Sequence, residues 1–165
     1  MNEVIYSASP FQVFIWSFVI VAFISALGIS GIGLGIFRRK EKPFVRLARG
    51  GAGVFLIAIG IALAYVAFRS MTGGSQTFTE QLNNKQIATD NCSDGGTCTR
   101  YVLETQSGSI FYDLGVTKET YEKAQVNACY SVTYYPGKSL LGEAGYAGTY
   151  ESVANITRIE SVACR

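Results

Sequence analysis

Four cysteines and no histidine define the chemistry open to this chain. Histidine is the commonest general base and metal-ligating side chain near neutral pH, so serine-histidine and cysteine-histidine nucleophiles are excluded. Cys92 and Cys98 have five residues between them, not the two-residue gap of redox and zinc motifs. An even count of cysteines, these two with Cys129 and Cys164, reads as a disulfide framework in an oxidising compartment, with three pairings possible. Among the carboxylates, Glu119 and Glu122 share a short helix with Lys118 and Lys123, which is the pattern of a solvated helix face. Asp90 and Asp94 occupy a glycine-rich loop without the twelve-residue ligand spacing of a calcium loop. No catalytic group, metal or cofactor is therefore expected, and the chain is read as a non-enzyme.

The elements that position the cysteines begin with two apolar runs. Residues 11–37 contain no charged side chain, and neither do residues 50–68; crossing a hydrocarbon core of about 30 Å takes roughly 20 helical residues. Between them, six basic residues (Arg38, Arg39, Lys40, Lys42, Arg46 and Arg49) stand against Glu41 alone. Short loops rich in lysine and arginine stay on the cytoplasmic side. The reading is a short external tail (1–10), a first transmembrane helix (11–37), a basic cytoplasmic loop (38–49), a second helix (50–69), a linker (70–76) and an exoplasmic β domain (77–165). Both termini then lie outside, in a plasma membrane of the prokaryotic inner type. The first run is too long, and its N-terminal flank too poor in basic residues, for a cleaved secretory signal. All four cysteines fall on the external side, in agreement with oxidation.

Residues 11–37 and 50–68 contain no charged side chain, the usual mark of a transport path, but are rich in small ones. Gly28, Gly31 and Gly35 on the first span and Gly53, Gly60 and Ala64 on the second are expected to be helix-packing positions, since small residues let backbones approach closely where lipid removes the hydrophobic drive. They serve either the two spans packing on each other or a face that docks on another subunit. The basic loop, with Phe44, Val45 and Leu47 beside it, is also suited to anionic lipid heads.

From residue 77 the apolar period changes from helical to alternating. Strands are expected at 77–89, 100–105, 110–114, 128–135 and 150–163, with a short helix capped by Thr117 between the third and fourth. Three strands, a helix and two strands is the order of an OB-like five-stranded barrel. In such a barrel the start of the fourth strand meets the end of the fifth, pairing Cys129 with Cys164, while Cys92 and Cys98 staple the first hairpin. The arrangement of membrane spans followed by a small OB-like barrel resembles the NfeD-type membrane proteins in architecture alone, and that resemblance brings over no residue and no function.

Eight of the ten tyrosines lie in the outer domain. Tyr134 and Tyr150 are candidates for an exposed stacking face, and adjacent Leu140 and Leu141 in a polar loop are candidates for a partner contact. From residue 71 onward seven basic residues stand against ten acidic, a net charge of −3, which argues against nucleic acid. The expected function is a non-catalytic accessory or scaffold subunit of a larger membrane complex, its partners other integral membrane subunits and the bilayer. The alternative is a membrane-anchored module that binds a peptide, glycan or small ligand.

Overall fold

The computed structural model describes residues 3–37, 42–92, 96–139, 142–143, 150–153 and 155–164. The chain divides into two compact units: Phe14–Thr72 with Lys138–Gly142, and Met1–Val13, Gly73–Gly137 and Glu143–Arg165. The fold is α+β, two long apolar helices followed by a sheet.

The helices are α1, Pro10–Phe37, and α2, Pro43–Thr72, both long and apolar enough to cross a membrane. The Ser-Pro-Phe-Gln start of α1 forms a reciprocal cap. Ser9 N–H donates to Gln12 Oε1 at 2.8 Å and Gln12 N–H to Ser9 Oγ at 3.2 Å, while Pro10 takes the first helical position, where a missing N–H costs nothing. Pro43 opens α2 in the same way. The helix thus begins seven residues before the expected boundary at 50, and Arg46 and Arg49 lie on α2 rather than in a loop.

The strands are β1 (Glu3–Ser7), β2 (Gln76–Asn91), β3 (Thr97–Ser107), β4 (Ile110–Val116), β5 (Cys129–Tyr134), β6 (Lys138–Ser139), β7 (Gly142–Glu143), β8 (Tyr150–Val153) and β9 (Ile156–Val162), with helix α3 (Lys118–Lys123) between β4 and β5; all but the short β6 and β7 lie wholly in the second unit. Seven of them form one sheet in the order β1-β9-β5-β2-β3-β4-β8, and β6 and β7 pair separately. Five of the six pairings are antiparallel, and β8 joins β4 in parallel.

This corrects the expected closed barrel of five strands. The sheet is open, with β1 and β8 at its edges. The expected fifth strand is broken: Asn155 has φ +57°, a left-handed conformation that cannot continue a strand, and its Nδ2 donates to Tyr135 O at 3.2 Å. On one side of the break β8 follows β4; on the other β9 follows β5. The expected N-terminal tail is itself a strand, running Glu3↔Ser161 to Ser7↔Arg158 along β9.

The long β2 joins the halves of the sheet. Residues Gln76 to Gln81 pair with β5, and Leu82 to Asn91 pair with β3. At the handover, Leu82 N–H donates to Ala128 O and Leu82 O accepts from Asn127 N–H. Leu82, Val132 and Ile159 are wholly buried, joined by Leu103, Leu114, Tyr130 and Tyr134, and β1 adds Ile5 to the same core. Thr117 caps α3 by accepting from Thr120 N–H at 3.3 Å, and Lys85 Nζ donates to Ala124 O at the helix's other end, at 2.8 Å.

Candidate functional site

The cysteines are joined as Cys92–Cys98 and Cys129–Cys164, with Cα separations of 5.4 and 5.2 Å. The sheet explains both pairings. Asp90↔Cys98 and Asn91↔Thr97 close the β2–β3 ladder, and Cys92 N–H donates to Gly96 O at 2.7 Å, which carries Cys92 to its partner. Cys129 is opposite Val162, two residues before Cys164.

In the helical unit, the glycines divide into two sets. An added Cβ on Gly53 would sit 2.6 Å from Gly28 O and 2.8 Å from Ile32 N; on Gly28, 2.8 Å from Gly53 O; on Gly35, 3.1 Å from Arg46 O; on Gly31, 3.3 Å from the Gly53 Cα; on Gly60, 2.8 Å from Ser25 Oγ. These five glycines lie in the contact between α1 and α2, where backbone meets backbone. Ala64 is half-buried on α2. By contrast, Gly33, Gly50 and Gly51 would place a Cβ with nothing within 4 Å. The two sets look alike in sequence; the register of the two helices separates them.

The remaining candidates are scattered. Tyr134 is 8 % exposed, its hydroxyl donates to Gln76 Oε1 at 3.0 Å, and its ring meets Phe78 edge-on at 5.8 Å. Tyr130 is buried too, its hydroxyl accepting from Gln125 N–H. These two rings are core, not a stacking face. Tyr150 pairs with Phe111 along the backbone, and its side chain, like Leu140 and Leu141, lies outside the described residues. Glu119 bonds Lys123 at 2.7 Å and Glu122 faces Lys118 at 3.8 Å; the lysine holds the Glu119 carboxyl below the usual range by hydrogen bond and charge. Among the described residues no cluster of three metal-ligating side chains occurs.

Two features have no counterpart in the sequence reading. A cavity of about 380 Å³ is lined by Tyr6, Thr117, Val153, Asn155, Ile156 and others, at the break between β8 and β9. Its polar groups are largely engaged: Thr117 Oγ1 with Thr120, and the Asn155 amide with Tyr135 O. The second is a like-charged pair, Glu104 and Asp113, opposite each other on β3 and β4. Glu104 accepts from Asn84 Nδ2 at 3.0 Å, while Asp113 Oδ1 is buried with no hydrogen-bond partner among the described residues. Burial and then the Glu104 charge raise the Asp113 pKa, against the pull of Arg100. Both features depend on register and strand breaks, which residue types do not announce.

No family model, curated protein or solved structure matches this chain.

Proposed function

We propose that the chain is a non-catalytic accessory subunit of a membrane assembly, anchored by the α1–α2 hairpin, with the β domain and both termini on the exoplasmic side. The observation that carries the topology is β1. The residues just before α1 are hydrogen-bonded into the same sheet as those that follow α2, which supports a chain that leaves and re-enters one compartment by an even number of crossings. Two disulfides in that sheet favour the oxidising side, and the basic residues between the helices favour a cytoplasmic bend.

Docking, in this reading, uses the glycines that the hairpin leaves open. Gly28, Gly31, Gly35, Gly53 and Gly60 are occupied within the hairpin, whereas Gly33 and Gly51 give a third helix room for close approach. The sheet is read as OB-like. Counting β8 and β9 as one interrupted strand, the pairings β2–β3, β3–β4, β4–β8, β9–β5 and β5–β2 follow the circuit of that barrel, with α3 in the expected place.

The test is a mild-detergent pull-down of the full chain from its native membrane, read by mass spectrometry, with Gly33→Leu and Gly51→Leu beside the wild type. Defined membrane partners that disappear with the leucines support the reading. A lone monomer in every case removes it and leaves the hairpin as an anchor.

A further inference from the structure

The early start of α2 changes what its basic residues do. At 1.5 Å per residue, the 30 residues of α2 extend about 45 Å, against a hydrocarbon core of about 30 Å. Residues 50–68 are free of charge and by themselves fill that core. The preceding turns, which carry Arg46 and Arg49 and begin just after Lys42, then extend about 10 Å beyond it, through the depth of a headgroup layer.

Their surroundings match that depth. Arg46 and Arg49, three apart, are neighbours on α2; Lys42 precedes the helix, its carbonyl accepting from Arg46 N–H at 3.3 Å, and Arg46 Nε donates to Gly35 O at 3.1 Å. That bond fixes the cationic stripe at the C-terminal end of α1, a helix with no basic residue in its own last turn to offset the negative end of its dipole. Beside the stripe, Phe37, Phe44 and Leu47 are 85, 79 and 76 % exposed. A phosphate ligand in water would satisfy the cations and leave three large apolar side chains wet. A bilayer surface satisfies both, with phosphate against the guanidinium and ammonium groups and acyl chain against the rings.

We propose that this end of the hairpin is a binding surface for anionic phospholipid headgroups, built from Lys42, Arg46 and Arg49 with Phe37, Phe44 and Leu47 as its apolar collar. The assignment rests on the membrane-spanning reading of the hairpin. Arg46 is the positioning residue, committed to Gly35; Lys42 and Arg49 add positive charge beside it.

The experiment reconstitutes the full chain in phosphatidylcholine vesicles with phosphatidylglycerol as the minor component, washes them with alkaline carbonate, extracts gently and counts retained lipids by native mass spectrometry. The wild type is expected to retain phosphatidylglycerol about fivefold or more above its share of the vesicle, the effect of one basic residue near an anionic surface. K42Q/R49Q should lower that retention severalfold, K42R/R49K should preserve it, and R69Q, at the other end of α2, should leave it unchanged. Retention at the vesicle ratio by a wild type that resists the carbonate wash overturns the proposal and leaves the hairpin reading intact. Loss of enrichment in R69Q equal to that in K42Q/R49Q overturns it as an effect of total charge. Stripping of the lipid by excess inorganic phosphate, to the level of K42Q/R49Q, overturns it in favour of a free-phosphate site. A chain that the carbonate wash removes from the vesicles overturns the hairpin reading and the proposal with it.

Discussion

The two units solve the packing problem by opposite means. In the β domain, contact is made by bulk: Leu82, Val132 and Ile159 are 0 % exposed, and close packing follows from filling space with side chains. In the hairpin it is made by omission, with Gly53 so near α1 that a single added carbon would lie 2.6 Å from a carbonyl oxygen. One unit is therefore vulnerable to losing atoms and the other to gaining them. On the membrane-spanning reading of the hairpin, the difference follows from the solvent each is built for, since lipid gives no hydrophobic reward for burying a leucine and leaves backbone proximity as the available gain.

The largest expected effect comes from removing bulk where bulk does the packing. Leu82→Ala should destabilise the β domain by about 2–5 kcal/mol, the range for emptying a buried leucine site, as read by the tyrosine near-ultraviolet circular dichroism of the full chain in detergent. The hairpin carries its own reporter, because the chain has one tryptophan, Trp16, on the exposed side of α1. If Leu82→Ala shifts the Trp16 transition as far as the tyrosine one, the two units do not unfold independently and the contrast between them fails.

The disulfides come next, and they subdivide the β domain itself. Cys129–Cys164 closes a sequence separation of 35 and Cys92–Cys98 one of 6; chain entropy gives about 4 and about 2 kcal/mol respectively. The smaller figure applies to a region the rest of the sheet does not support. Pairing with β5 ends at Gln81 and pairing with β4 begins at Tyr101, so the outer part of the β2–β3 hairpin is two strands alone, an arrangement marginal in water. C129S/C164S should lower the whole-domain midpoint. C92S/C98S should instead abolish amide-exchange protection at Ala88 to Asn91 and Thr97 to Arg100 while barely moving that midpoint. Equal midpoint shifts for the two variants would show the ribbon to be part of the cooperative unit.

Gly53→Ala and Gly51→Ala then test the rule of omission within one helix, two residues apart. At Gly53 the methyl group meets backbone and Ile32, and overpacking of that kind costs about 1–3 kcal/mol. At Gly51 it meets nothing, and the gain in helix propensity, up to about 1 kcal/mol, is all that remains. Titration with a denaturing detergent, followed at Trp16, should separate the pair in opposite directions. Two equal shifts would mean that the α1–α2 contact in solution does not pass through Gly53.

How much of this was legible beforehand follows the same division. Bulk leaves a period: the strands at Gln76–Asn91, Thr97–Ser107 and Ile110–Val116 overlie the expected alternation, and the cysteine pairing came with the strand order. Omission leaves no period, because Gly31 and Gly33 are the same residue type and only helix register sends one to Gly53 and the other outward. The five residues of β1 are too few to show alternation, and their apolar centre, Val4-Ile5-Tyr6, was the one available signal. Arg46 and Arg49 hid the first turns of α2 because charge was read as a loop, where Pro43 marked a helix start. Tyr134 was left between core and stacking face for a related reason: strand propensity says that tyrosine fits a sheet, not which face it takes.

The smallest effect is electrostatic, and it sets the two ends of the carboxylate range against each other within the β domain. Glu119 is fully exposed and held below its usual pKa by Lys123, whereas Asp113 is pushed above its own, chiefly by burial and then by Glu104. The signs differ in consequence. Well below the ordinary aspartate range, Asp113 is protonated in the folded and the unfolded chain alike and imposes no penalty. As pH rises, the unfolded chain releases that proton first, so stability is lost from the ordinary aspartate range up through the raised folded value and stays lost above it. Asp113→Asn keeps the shape without the charge, and should remove that loss. Its unfolding midpoint should match the wild type at acidic pH and exceed it modestly at neutral pH. Equal midpoints at both would mean that Arg100 already offsets the burial of Asp113, and a lower midpoint at neutral pH would mean that the ionised carboxylate has a stabilising partner in the folded chain.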